Sequence, residues 1–162
     1  MYKNKATEQD YLFKMLFELN DKFSQSIKLN LTNVFLNFGS AAQYTAEKRL
    51  IEITLNNANA FTLIHEYAHS KSIKHDLKFL LIQSYIQYHY FKNISFRDYD
   101  FYEDEKLDFI NFNKDNFKKL VVEIYKTYDF EDVESFIDTA INLIYKNESL
   151  ESFKLSGTVY SS

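Results

Sequence analysis

Three of the chain's four histidines fall at positions 65, 69 and 75, and no single regular element presents all three to one point. Side chains four apart stack on one helical face, so His65 and His69 share a side of a helix. His75 is six residues further on, about 240° around the same axis, and on a continuing helix it would point away. A fold that gathers all three must end its helix inside Ser70 to Lys74 and turn the chain back. No glycine or proline marks that break, which puts the burden on Ser70 or Ser72 and predicts a strained backbone there.

The residues of this stretch carry a definite chemistry. His65-Glu66-Tyr67-Ala68-His69 reads H-E-x-x-H, and the residues ahead of it, Phe61, Leu63 and Ile64, are apolar, as a buried helix requires. Neutral imidazole suits Zn²⁺, and catalytic zinc usually takes three protein ligands and keeps one position open. His65, His69 and His75 are the candidate ligands. Glu66, beside the first ligand, is the candidate general base for a water whose pKa the metal lowers.

Composition bounds the rest. A chain of 162 residues fits one domain with a real core. Gly is 2 and Pro is 0, which argues for long helices and few tight hairpins. Without cysteine there are no disulfides and no thiolate zinc site, in keeping with a reducing cytoplasm. Glu8 and Asp10 interrupt the N-terminus, so no signal peptide is expected, and no apolar run reaches the 18 residues of a membrane span. The net charge of −4 divides unevenly, +2 over residues 1–91 and −6 over 92–162. Neither part is the basic surface that a phosphate backbone favours.

The predicted elements follow the chain. Leu12, Met15, Leu16, Leu19 and Phe23 mark an amphipathic helix over 6–24, with Thr7 as its N-cap. Acidic residues on its polar face argue against a membrane-surface role. Two strand-like runs come next, Asn33 to Phe38 and Arg49 to Leu55, with a turn at Gly39 to Ala42 and further pairing from Tyr44 to Ala46. Asn56, Asn57 and Asn59 offer N-caps for the motif helix. A second helix is expected from Asp76 to Phe91, with His89 in a structural role. A loop over 93–105 and helices over 113–128 and 131–147 complete the chain. The expected architecture is α+β: a small antiparallel sheet packed on an active-site helix, then a helical C-terminal half. Residues 1–148 are expected to form a single domain, and 149–162 a weakly ordered tail.

The motif narrows the choice of family. The metzincins share the spacing H-E-x-x-H-x₅-H but place Gly where this chain has Ser72, and they need a downstream methionine. The only methionines here are Met1 and Met15. An rRNA-processing metalloprotein family with a related three-histidine pattern lacks the glutamate that stands here as Glu66. The stretch over about 33–91 resembles the small SprT-like and WLM zincin metallopeptidases. The likeness lies in the H-E-x-x-H helix, the nearby third histidine in a His75-Asp76 pair, and a phenylalanine four residues beyond it, Phe79. The resemblance implies a zincin-like fold, zinc on His65, His69 and His75, Glu66 as base, and Phe79 packed beneath the third ligand. It also implies protein substrates associated with DNA, which the charge distribution does not itself support.

The expected reaction is one-step hydrolysis of a peptide bond without a covalent intermediate. Glu66 takes a proton from water and passes it to the leaving amine. A strand edge at 49–55 would hold the peptide. Two other readings stand beside this one. Repressor-cleaving zincins of mobile elements commonly take a later acidic ligand, for which Glu103 or Glu105 would serve. An inactive zinc-stabilised module would bind a partner protein through the acidic half, although a purely structural site needs no base such as Glu66.

Overall fold

A computed structural model describes residues 2–34, 36, 39–95, 114–127, 137, 138 and 141. The protein is α+β, and it divides into two compact units, Met1–Lys71 and Ser72–Ser162.

The first unit opens with α1, Tyr2–Lys22. Leu12, Met15, Leu16 and Leu19 form its buried stripe, as their spacing predicts. The helix starts earlier than expected, because Lys3, Lys5 and Ala6 are good helix formers and nothing breaks the run. Thr7 therefore lies inside α1 and is not its cap. At the other end Ser24 adopts φ 52°. Gln25 N–H donates to Asn20 C=O (2.9 Å) and Ser24 N–H to Asp21 C=O (3.5 Å), the paired bonds of a Schellman ending. Glycine usually fills that left-handed position; in a chain with two glycines, Ser24, Arg49 and Lys92 take left-handed backbone instead.

Three strands follow: β1 Lys28–Thr32, β2 Ala42–Thr45 and β3 Leu50–Thr54. The sheet order is β1-β3-β2, with β1 parallel and β2 antiparallel to β3. The expected antiparallel sheet is thus a mixed one. Its first strand also falls earlier than Asn33 to Phe38. The Thr32 hydroxyl accepts from the Val34 N–H (3.1 Å), turning the chain just where the apolar run begins. Asn33 and Val34 lie in the bend, Leu36 is buried outside any strand, and residues 35, 37 and 38 are outside the described set. The β2 pairing matches the expected extension at Tyr44. In β3, fully buried Ile51 and Ile53 alternate with half-buried Leu50, Glu52 and Thr54. β3 is the middle strand, so it offers no edge to a peptide; among the described residues the edges are β1 and β2.

After a 3₁₀ turn at Leu55–Asn57 comes α2, Ala60–His69, which packs on β2, β3 and α1. One polar side chain fastens this unit from within. The Asn20 amide donates to Ile27 C=O (2.9 Å), while its carbonyl accepts from Ile27 N–H (3.1 Å) and from the Tyr67 hydroxyl (3.1 Å). It joins the end of α1, the entry to β1 and the back of α2. Asn20→Ala strands all three groups and is expected to cost about 2–3 kcal/mol, read as a lower urea midpoint with unchanged slope.

The second unit contains α3, Leu77–Phe91, and α4, Lys114–Thr127. α3 is buried continuously from Phe79 to Gln87, and α4 meets it through Phe117, Leu120, Val121 and Ile124. The His89 ring nitrogen Nδ1 lies 3.0 Å from the Tyr125 hydroxyl, tying α3 to α4 in the structural role expected of it. Of the helix expected over 131–147, residues 137, 138 and 141 are described, and each is helical. Glu103, Glu105 and residues 149–162 lie outside the described residues. Among those described, no helix is long and apolar enough to cross a membrane.

Candidate metal centre

The site begins at Asn59, one of the three asparagines offered as caps. Its backbone is extended, and its side-chain carbonyl accepts from the Thr62 N–H (3.0 Å) and the Thr62 hydroxyl (3.2 Å). Asn57 instead donates to the Thr54 hydroxyl (2.8 Å). With its start fixed, α2 buries Leu63, Ile64, Tyr67 and Ala68 against the rest of the unit. His65 and His69 fall at the margin of that buried arc, half-buried, with ring centroids 4.9 Å apart and planes at 82°.

The helix ends ahead of His75, though not by the expected means. Ser70 N–H donates to Tyr67 C=O (2.9 Å) and Lys71 N–H to Ala68 C=O (3.0 Å), which tightens the last turn. The Ser70 hydroxyl also donates to Tyr67 C=O. Ser70 has φ −67° and ψ −17°, and no residue from 70 to 76 takes a positive φ. The expected strain is absent. Asp76 does the work that a strained serine was expected to do. Its backbone is extended (φ −100°, ψ −175°), and its carboxylate accepts from Phe79 N–H (2.9 Å) and the Ser72 hydroxyl (2.7 Å). One side chain thus caps α3 and holds the turn that leads into it. The sequence signal was present: an Asp directly before the apolar run starting at Leu77.

These local arrangements bring together the three histidines singled out from the sequence. His65, His69 and His75 each offer a ring nitrogen, and all three lie within 4.8 Å of one another. Phe79, fully buried, packs its ring 4.8 Å from that of His75. The donor set fits zinc: bonds of about 2.0–2.1 Å in a tetrahedron put ligand nitrogens about 3.3 Å apart. Three neutral nitrogens and no thiolate also suit other borderline divalent ions, and zinc is the one with no redox chemistry of its own.

Glu66 is 8% exposed. Burial, by penalising its charged form, raises its pKa to about 7 in the metal-free chain. A carboxyl whose folded pKa is raised holds its proton in the native state after the unfolded chain has released it. Its contribution to stability therefore falls as pH rises between about 4.5 and about 7, and is flat above. Metal-free protein is expected to lose about 2–3 kcal/mol between pH 5 and pH 8 from this group. Urea midpoints in chelator, compared with Glu66→Gln, isolate it from the histidines: the variant gains on the native protein at pH 8 much more than at pH 5.

No family model, curated protein or solved structure matches the chain. What the site can do rests on its own geometry and chemistry: an α+β protein with two histidines on one helix, a third from the turn that follows it, and a buried carboxyl beside them.

Proposed function

We propose that the protein is a zinc-dependent metallopeptidase of zincin type, similar to the SprT-like and WLM groups, acting on protein or peptide substrates. The observation that carries this reading is the convergence of His65, His69 and His75 within 4.8 Å on a segment whose helix also bears the buried Glu66. His65, His69 and His75 would hold the metal. When bound, zinc supplies Lewis acidity toward water and the scissile carbonyl. Glu66 accepts the proton that water gives up on attack and delivers it to the departing amine, so a single carboxyl serves both halves of the reaction. Its burial beside the ligands excludes bulk water from that transfer.

The substrate would lie along β2. Thr54 N–H donates to Ala41 C=O (2.9 Å), which sets the alternation of the β2–β3 pair. By that alternation the backbone groups of Ala42 and Tyr44 point away from β3, toward the open edge. An extended peptide pairs with such groups and takes its affinity from main-chain hydrogen bonds. The charge of +2 over residues 1–91 and −6 over 92–162 supports a protein substrate and not a DNA-bound one. A cysteine-free chain suits a cytoplasmic setting.

Metal analysis of purified protein, with cleavage profiling against a proteome-derived peptide library, tests the proposal. One zinc per chain and cleavage lost on chelation are expected. Stoichiometric zinc with no cleavage would move the reading to a structural zinc module.

A further inference from the structure

We infer that Asp76 is a positioning residue for the metal: one of its carboxylate oxygens holds His75 in place as a ligand before the ion binds. This rests on the metal centre of the reading above and is independent of peptide hydrolysis.

The stretch that carries the third ligand has no stiffness of its own. Residues 72–76 contain no proline to fix the chain, and none of them takes a positive φ. Its shape comes from side-chain bonds. The Ser72 hydroxyl lies 2.7 Å from Asp76 Oδ1 and 3.2 Å from the Lys74 carbonyl oxygen, and it shares its one proton between them. Lys74 and Asp76 are the chain neighbours of His75, so a single hydroxyl ties the backbone on both sides of the ligand.

The same Oδ1 accepts from the Phe79 N–H (2.9 Å), which sets the first turn of α3. Phe79 in turn packs its ring 4.8 Å from that of His75, with the planes at 60°. The backbone around the ligand and the ring against it are thus both held from one atom. Capping alone does not ask for this arrangement. An N-cap needs only its bond to the helix, whereas the second bond, to Ser72, reaches back across the position of His75 and adds nothing to α3. Its effect is on the turn. Released from Oδ1, residues 72–76 sample other conformations, and binding must then order them. A ligand in place for only a fraction of the time weakens the apparent affinity by that fraction.

The test is the apparent zinc Kd of the full-length protein, read by competition with a chromophoric chelator at fixed pH. Asp76→Ala is expected to bind zinc about tenfold more weakly than the native chain. Asp76→Asn, whose amide oxygen can accept both bonds, is expected to stay within about twofold of it. Ser72→Ala keeps the cap and loses the turn bond, and a loss of about threefold is expected. Ile124→Val, a change in the buried face of α4 that lowers stability to a similar degree, is expected to leave the Kd unmoved. An unchanged Kd in Asp76→Ala overturns the inference, as does equal weakening in Ile124→Val, which would leave Asp76 a role in stability alone. An Asp76→Asn chain as weak as Asp76→Ala assigns the effect to charge and overturns it too. Should Asp76→Ala not fold, Ser72→Ala decides, and an unchanged Kd there sinks the idea. Each of these results leaves the metal centre standing; a native chain that binds no zinc overturns both.

Discussion

His65→Ala and His69→Ala are each expected to leave the purified protein without stoichiometric zinc. Loss of an outer-shell partner of a metal ligand already costs about 10–100-fold in affinity, and removal of a ligand itself should exceed that. His75→Ala should weaken binding comparably, because its nitrogen lies within the same 4.8 Å as the other two. The double change Glu103→Gln, Glu105→Gln separates this site from one completed by a later acidic ligand, and it should be nearly silent. Zinc that binds the folded protein alone stabilises it by about 2.7 kcal/mol at a free concentration 100 times its Kd. The native protein's melting temperature should therefore rise with added zinc, and that of the three histidine variants should not. Metal retained at one per chain in both His65→Ala and His69→Ala would place the site elsewhere.

The α+β class and most elements were legible because they rest on local periodicity. Leu12, Met15, Leu16 and Leu19 mark α1, and the Leu50 to Leu55 alternation marks β3. The first strand was misplaced for a physical reason. Asn33 to Phe38 is the more apolar run, but Thr32 bonds the Val34 N–H and ends the strand before it, while polar-looking Lys28–Thr32 pairs with β3. Strand identity was decided by pairing with a partner, which propensity does not encode. The parallel match of β1 with β3 is a long-range choice of the same kind.

The grouping of the candidate site's histidines was more legible than the sheet. The five residues of a helical motif fix their own relative geometry, so His65, Glu66 and His69 needed no tertiary knowledge. The break before His75 was also required by that geometry. Its cause is not a residue that tolerates strain. The chain instead uses one that supplies bonds: Asp76 both caps α3 and holds Ser72. Side-chain capping replaces backbone freedom here, and the left-handed Ser24, Arg49 and Lys92 meet the same shortage of glycine elsewhere.

Glu66→Gln is expected to keep zinc and fold while losing peptide hydrolysis by about 10²–10⁴-fold, the usual contribution of a positioned general base. The amide matches the carboxyl in shape but can neither accept the proton from water nor return it to the amine. Its neutrality also removes the cost of a buried charge, so the metal-free variant should be more stable than the native protein at pH 8. That gain excludes misfolding as the cause of lost activity. Stoichiometric zinc, absent cleavage and, once the metal is chelated, a higher urea midpoint at pH 8, all in one preparation, would assign the base to Glu66. Undiminished cleavage in that preparation would show that water is activated without Glu66, and the mechanism proposed for this site would have to be given up.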